Sequence, residues 1–515
     1  MTEILTIAHQ AVKAAALWPD ADAIVDGDRR LSWAGLAGAM MDTAAAFVAT
    51  GLRKGDRISL WMPNSIDWII ACLGLHAAGG VLVPLNTRYK ADEARYILDR
   101  AQVRMVVASD EFLGTRFAEL ATSLGVASVE RIVAVGDDGP KGWTAFLAAA
   151  DADSRREAGA RLDALAEDDV SDIMFTSGTT GNPKGAVTAH GQTVRTAQLW
   201  ARATSLAAGD RYLIIWPFFH TSGYKGAWLP CLTTGATILP MAALEVPALL
   251  EVVERERVTF MPGPPTLFQT LLAMPDRRPE MLAALRVAVT GGTSVAPSMV
   301  EAMRAELGIP VVLTGYGMTE TCGTATMTSP GDPPEVVTTS CGRAIDGVEV
   351  ICVDEAGVPV PTGEPGEVVI RGMNVMRGYL DDPEATAAAI DEQGWLHSGD
   401  IGVLDEKGYL RITDRKKDMF IVGGFNCYPA EIEKMLLNHP AILAVAVAAI
   451  PDERMGEVGK AWVVLKDGAS LDAAGLIAWS RERMANFKVP REVAFLAELP
   501  MSATGKVQKF RLGAS

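Results

Sequence analysis

Residues 176–185 read TSGTTGNPKG, a glycine, serine and threonine run that closes on Pro-Lys-Gly, and residues 173–175 just before it, IMF, have the apolar character of a strand end. The hydroxyls of Thr176, Ser177, Thr179 and Thr180 can donate hydrogen bonds, while Gly178, Gly181 and Gly185 let backbone N–H groups approach an anion closely. Lys184 adds a positive charge at the end. The composition alone also fits a flexible linker, but a linker need not follow an apolar strand and gains nothing from a closing Pro-Lys pair. The run therefore predicts a loop built to hold phosphate. It is not a Walker A motif, because no Gly-Lys-[Ser/Thr] closes it.

The chain has 515 residues, which exceeds one ordinary domain and predicts a large body with at least one smaller unit. Hydrophobic residues make up 49% and charged residues 21%, values that exclude wholesale disorder. A net charge of -16 repels nucleic-acid backbones, so a polyanionic ligand must find a local basic pocket. Glu3 stands where a signal peptide would carry positive charge. The most apolar long stretch, residues 68–85, is interrupted by His76, Gly79, Gly80 and Pro84, and so reads as a buried helix followed by a strand, with no integral membrane association. Cys72, Cys231, Cys322, Cys341, Cys352 and Cys427 are scattered without a CxxC pair, as expected of reduced thiols in a cytoplasmic protein.

Short β-branched runs at residues 58–61, 81–83, 105–107 and 132–135 alternate with Ala/Leu-rich stretches of helical character. The rhythm continues at 212–215, 237–239 and 286–289, each beside a Gly- or Pro-bearing turn, and predicts layered α/β structure. From about Val348 the pattern changes to short strands and tight turns, a β-rich subregion. The cluster DRKKD at 414–418 then marks a boundary. Beyond it a strand at 419–422, a Pro-initiated helix at 428–438, strands at 444–449 and 460–465 and a helix from Asp472 predict a small α+β domain. The expected division is an N-terminal domain over 1–413, a hinge at 414–417 and a C-terminal domain over 418–515.

Four further segments are polar among apolar neighbours: GGT at 291–293, YGMTE at 316–320, GWLHSGD at 394–400 and PMSATGK at 500–506. Together with the opening loop, and in this order, they resemble the adenylate-forming superfamily of acyl-CoA synthetases, aryl-CoA ligases, luciferases and peptide-synthetase adenylation domains. The resemblance spans essentially the whole chain. It implies a large AMP-binding domain, a small mobile C-terminal domain, and attack of a carboxylate on the α-phosphorus of ATP. Both reactants are anions, so such chemistry rests on charge neutralisation and alignment.

By motif match, Lys506 would bridge the carboxylate and the α-phosphate, Thr319 would hydrogen-bond that phosphate, and Glu320 would hold Mg²⁺ through a hard oxygen. Asp400 would accept from the ribose hydroxyls, joined by Arg415. Tyr316 and Gly317 would border the adenine, and Gly291, Gly292 and Thr293 would offer backbone edges to the base. His220, within WPFFHTSGYK at 216–225, matches a position that borders the channel to the reacting carboxylate and is expected to gate rather than act as a general base. His397 is expected to serve structure, and His190 has no evident task.

In the superfamily the second half-reaction, attack of a thiol on the acyl-adenylate, follows rotation of the C-terminal domain about a hinge, here matched by Lys417. That rotation would withdraw Lys506 and present GGFN at 423–426, where Gly423, Gly424 and Phe425 would receive the pantetheine arm of coenzyme A.

The segments VPLNTRY, FFH followed by GYK, PGPPT, GGFNCYPAE and ANFKVP are similar to those of bacterial acyl-CoA ligases, especially the actinobacterial type that activates propanoate side chains of degraded steroid rings. Several recur in fatty-acyl and aromatic-acid ligases. Thr221 and Ser222 replace a common Asn-Phe pair, and Gly315 stands where a bulkier residue can close the pocket floor. With Trp216, Phe218 and Trp228 nearby, and Gly291 and His220 on the acyl side, the expected acid is apolar and sizeable: alicyclic, steroid-derived or fatty. The implied co-substrates are ATP and coenzyme A with Mg²⁺, and a homodimer is compatible. A carrier-protein-loading adenylation enzyme and a non-catalytic sensor of acyl-adenylate or acyl-CoA are the alternatives.

Overall fold

The strand Val170–Thr176, which leads into the glycine-rich run, belongs to a seven-stranded sheet. In space the order is Gly378–Tyr379, Lys184–Ala189, Val170–Thr176, Val81–Pro84, Arg57–Trp61, Met105–Ser109 and Arg131–Val135. The last five strands pair in parallel wherever partners are defined. Their short apolar runs are buried on both faces, the signature of a sheet covered by helices on either side. These relations come from a computed structural model that describes residues 4–176, 182–274, 278–290, 297–415, 420–500, 509 and 512.

A second seven-stranded sheet runs Val311–Leu313, Val287–Thr290, Phe260–Gly263, Arg211–Ile214, Thr237–Pro240, Asp22–Asp26 and Arg29–Ser32. It too is parallel except for the hairpin formed by its last two strands. Between the layers lies helix Ile66–Ala77, capped by the Ser65 hydroxyl, which accepts from the Trp68 N–H at 3.2 Å. Apart from Asp67 the whole helix is buried, so an all-round apolar helix here is a core element and the stretch 68–85 is a helix followed by a strand. Trp68 meets Phe218, Tyr224 and Trp228 edge-on, with ring centroids 5.4, 5.8 and 5.9 Å apart. Such contacts add to the large apolar area these rings remove from water.

After Val348 the expected β-rich region is a four-stranded antiparallel sheet of Val348–Val353, Gly366–Gly372, Leu396–Leu404 and Leu410–Arg415. It carries His397 and Asp400. The chain divides into two compact units: the first comprises Met1–Thr87, Leu98–Met174 and Gly185–Asp414, the second Arg88–Ile97, Phe175–Lys184 and Arg415–Ser515. Two short N-terminal segments thus belong with the C-terminal one, an arrangement that linear sequence cannot show.

In the second unit Phe420–Val422 and Phe425–Cys427 form a hairpin beside the long strands Gly456–Leu465 and Ile442–Asp452, with Glu492–Phe495 added in parallel. Helices Pro429–Leu436 and Ala473–Arg481 bury Ile432, Leu436 and Leu476 against Phe420, Val447 and Val463. Asp472 caps the second helix, accepting from the Gly475 N–H at 2.7 Å. The small α+β unit expected from the sequence is therefore present. Lys488 of ANFKVP, 4% exposed, donates to Glu93 at 2.7 Å and to Glu431 at 2.6 Å. Among the described residues no helix is long and apolar enough to cross a membrane, and all six cysteines are free thiols.

Candidate active site

The segment YGMTE lies on a sharply folded stretch of the first unit. Gly315–Tyr316 pairs antiparallel with Thr326–Met327, and a single 3₁₀ turn, Thr319–Thr321, reverses the chain between them. The Met318 N–H donates to the Thr321 hydroxyl at 3.0 Å, and the Gly323 N–H returns to the Met318 carbonyl at 2.9 Å. Gly317 is required by contact: a Cβ there would lie 2.4 Å from the Gly323 carbonyl oxygen. This closure presents Tyr316 and Glu320 from one short loop.

Glu320 is 5% exposed, and its Oε1 accepts from the Tyr379 hydroxyl at 2.8 Å. Tyr379 sits on the edge strand paired with Lys184–Ala189, where it faces Ala186. A buried carboxylate needs such donors to remain in place. At the other end of the segment, the Tyr316 hydroxyl donates to Asp400 Oδ2 at 2.6 Å. Desolvation, reinforced by the Asp400 charge, pushes the Tyr316 phenol well above its usual value, so it stays a donor. The aromatic residue expected beside the base and the carboxylate expected at the ribose are thus tied together. The Ser398 hydroxyl accepts from the Asp400 N–H at 3.1 Å, fixing the strand at that point.

His220 ends an irregular stretch shaped by Asn64, a buried residue that the sequence reading did not single out. Asn64 donates to the Trp216 carbonyl at 2.9 Å and accepts from the Phe218 N–H at 2.8 Å. His220 caps the turn Thr221–Gly223, its Nδ1 accepting from the Ser222 N–H at 3.3 Å and pairing with the Ser222 hydroxyl at 2.8 Å. A backbone N–H can only donate, so Nδ1 keeps its lone pair and the neutral ring carries its proton on Nε2. The side chain is open to water yet ringed by protein, and desolvation pushes its pKa down to about 4.

Two expectations for the acyl side need correction. Phe218, 1% exposed, and Trp228, fully buried, are packed around Trp68 in the core, and so back the wall instead of lining it; half-buried Trp216 retains accessible surface. Gly315 does not open space. A Cβ there would lie 2.8 Å from the Thr326 carbonyl oxygen and 3.0 Å from Met327 Sδ, so glycine serves the close pairing of two strands. Local sequence gives residue size but not the direction in which a Cβ points, and both readings failed for that reason.

His190, without a task in the sequence, is fully buried; its Nδ1 accepts from the Ile7 N–H at 3.4 Å and anchors the first helix. His397 pairs with Glu367 at 3.2 Å, the expected structural role. Thr176 ends one strand and Lys184 begins the next, with Gly185 buried behind it. In the second unit Gly423 and Gly424 form the turn of the hairpin, with φ of 56° and 87°. Phe425 stacks on Phe487, ring centroids 4.6 Å apart. Ser177, Gly178, Thr179, Thr180, Gly181, Gly291, Gly292, Thr293, Lys417 and Lys506 lie outside the described residues, and of Arg415 only the backbone at the end of its strand is described.

The first unit is thus a doubly layered α/β body with a carboxylate and tyrosine set around one tight loop, and the second a separate small α+β unit. The family model for AMP-binding enzymes matches residues 12–380, and that for the AMP-binding enzyme C-terminal domain matches residues 431–506. Two proteins named 3-[(3aS,4S,7aS)-7a-methyl-1,5-dioxo-octahydro-1H-inden-4-yl]propanoyl:CoA ligase are 47% identical. The Rhodococcus jostii protein aligns over 99% of this chain and 98% of its own length. The Mycobacterium tuberculosis protein aligns over 96% of each. Among solved structures, the amide bond synthetase McbA of Marinactinospora thermotolerans is similar with a TM-score of 0.87 and 29% identity, covering 98% of this chain and 99% of that one. The o-succinylbenzoate CoA synthetase of Bacillus subtilis, bound to a product analogue, is similar with a TM-score of 0.84 and 28% identity, covering 98% of each chain. The chain belongs to the AMP-binding enzyme family. Its activity is that of an AMP-forming acyl-CoA ligase.

Proposed function

We propose that the acid activated is an alicyclic propanoate derived from a degraded steroid ring system, converted first to the acyl-adenylate and then to the coenzyme A thioester. The observation that carries the substrate class is the 47% identity, over nearly full length, to the two ligases named for a methyl-dioxo-octahydroindenyl propanoyl group. An apolar bicycle also suits a wall backed by a buried aromatic cluster, with half-buried Trp216 beside it.

In this reading the backbone and hydroxyls of residues 176–181 and Lys184 hold the ATP phosphates, with Gly291, Gly292 and Thr293 along the base and Thr319 on the α-phosphate. Tyr316 borders the adenine while its hydroxyl holds Asp400, which together with Arg415 takes the ribose. Among the described residues no set of three or more acidic, His or Cys side chains could hold a metal unaided. A single buried carboxylate steadied by a tyrosine fits Mg²⁺, which completes its coordination from phosphate and water. Glu320 would supply that oxygen, and the ion would neutralise charge on the phosphates. His220, neutral, borders the carboxylate. Lys506 neutralises the attacking carboxylate and the α-phosphate together, and the reaction releases pyrophosphate. The thiol of coenzyme A, passing Gly423, Gly424 and Phe425, then attacks the acyl carbon and displaces AMP, with the hinge at Lys417 exchanging the two arrangements.

The test is acid-dependent pyrophosphate release across a panel of bicyclic propanoates, fatty acids and aromatic acids, followed by mass spectrometry of the coenzyme A product. Preference for a fatty or aromatic acid would refute the substrate assignment. Lys506→Ala should abolish adenylate formation yet spare thioester formation from supplied acyl-adenylate, because the lysine acts only in the first transition state; equal loss in both would remove the role. The likeness to an amide bond synthetase favours an amine acceptor as the second reading, which the product mass distinguishes.

A further inference from the structure

Beneath the site lies a fully buried ion pair that none of the motifs accounts for. Lys225 and Asp172 are 1% and 0% exposed, and Lys225 Nζ lies 2.7 Å from Asp172 Oδ1. The same ammonium donates to the Thr188 hydroxyl at 2.7 Å and reaches Cys322 Sγ at 4.0 Å. Asp172 is completed by the Thr188 hydroxyl, donating to Oδ1 at 2.7 Å, and by the Ser171 hydroxyl, donating to Oδ2 at 2.6 Å. Neither charge has access to water, and each is compensated from inside the protein.

The partners come from four stretches of chain, each adjoining a functional segment. Asp172 lies on Val170–Thr176, which runs into the glycine-rich loop, and Thr188 on Lys184–Ala189, which runs out of it. Lys225 lies on Tyr224–Trp228, a five-residue π-helical turn that follows directly on the turn capped by His220. Cys322 stands two residues after Glu320, with φ of 53°, a left-handed conformation that few non-glycine residues adopt. π-Helical turns are rare and are frequently found at functional sites. A buried ion pair is weak evidence for stability, since well-packed apolar residues of similar volume serve as well or better. What a fully satisfied buried charge network does supply is a unique arrangement of the segments it joins.

We infer that Lys225 is a positioning residue, through which occupation of the acid pocket at His220 is coupled to the strands that frame the phosphate loop and to the Thr319–Glu320 turn. The acid and ATP then bind synergistically, because either ligand holds segments that the ion pair links to those of the other. By linkage, the factor by which the acid tightens the nucleotide equals the factor by which the nucleotide tightens the acid.

This inference rests on the ligase reading, and the experiment separates the two. The probes are α,β-methylene ATP, whose α–β bond cannot be cleaved, and whichever of the bicyclic dioxo-indanyl propanoate and decanoate supports faster pyrophosphate release. Calorimetric titration of each probe with and without the other, with Mg²⁺ throughout, gives the coupling factor twice over. In the unaltered protein the factor should exceed fivefold. In the charge-neutral pair Lys225→Met/Asp172→Asn it should fall to within twofold of one, at a thermal midpoint within a few degrees of the parent. Thr188→Val, which removes only the shared hydroxyl at nearly constant volume, should lower it as well, and decides the matter alone if the double variant does not fold. A merely structural pair would lower the midpoint and leave the factor unchanged, which would overturn the inference, as would a factor of one in the unaltered protein. Absence of pyrophosphate release with both acids would instead refute the ligase reading, and the tie with it.

Discussion

Substituting Gly317 by alanine adds a single methyl group to YGMTE, and the structure allows its cost to be worked out. The new Cβ would stand 2.4 Å from the Gly323 carbonyl oxygen and 2.6 Å from both Gly323 C and Thr324 Cα, where ordinary contact begins at 3.4 Å. All three atoms are backbone, so no rotamer change relieves the overlap. The two segments must part by about 1 Å. They are joined by Ala325 N–H to Tyr316 O at 2.8 Å and Gly323 N–H to Met318 O at 2.9 Å, and a shift of that size takes both bonds beyond hydrogen-bonding range. Overpacking costs ~1–3 kcal/mol and each of the two weakened bonds about 1 kcal/mol, so the expected loss is ~3–5 kcal/mol if nothing else relaxes. Catalysis should suffer more than stability, because Tyr316 and Glu320 flank the displaced residue and a misplacement near 1 Å can cost about 100-fold in rate. The assay is single-turnover pyrophosphate release beside a denaturant melt. Gly331→Ala serves as the control, since its Cβ would meet nothing within 4 Å. A Gly317→Ala protein with parental stability and rate would refute the argument from close approach.

Tyr379→Phe removes the donor to Glu320 while keeping the ring, so the apparent Mg²⁺ requirement of adenylate formation should rise ~10-fold or more, with thioester formation from supplied adenylate unaffected; an unchanged Mg²⁺ titration would exclude the tyrosine as the support of Glu320. Gly315→Trp should wedge apart Gly315–Tyr316 and Thr326–Met327, lowering the melting temperature and depressing all acids alike; a selective shift toward short acids in a protein of normal stability would show that the position lines the pocket after all. Burial pushes the pKa of His76 down to about 4 from an ordinary 6.5. The unfolded chain therefore binds the proton first, and the contribution of neutral His76 to stability is complete above pH 6.5 and lost as the pH falls toward 4. His76→Gln, which can keep the hydrogen bond to the Tyr224 hydroxyl, should flatten the pH dependence of chemical denaturation in that window, and an identical slope would count against the assignment.

The layered α/β body, the late β-rich region and the small α+β unit were legible because each rests on local pattern. A short apolar run beside a turn, or Asp472 ahead of a helical stretch, constrains the backbone wherever the segment ends up. YGMTE and GWLHSGD could be found by resemblance alone, since each is a contiguous run of residue types. What remained hidden depends on which way a side chain points and on what faces it across the sheet.

The sequence by itself determined the class of fold and the order of its elements, since these follow from periodicity and short-range residue type, and it marked by resemblance the segments proposed to carry the chemistry. Only the tertiary structure decided the partners of those segments. Tyr379 supports Glu320 from 59 positions away, Asp400 meets Tyr316 from 84, and Lys225 joins Thr188 from 37. Gly315, read as open space, is filled by Thr326 and Met327, and Phe218, read as lining, lies in the core. Strand pairing and helix crossover fix these relations, and each depends on packing between segments remote in sequence, which no local pattern encodes.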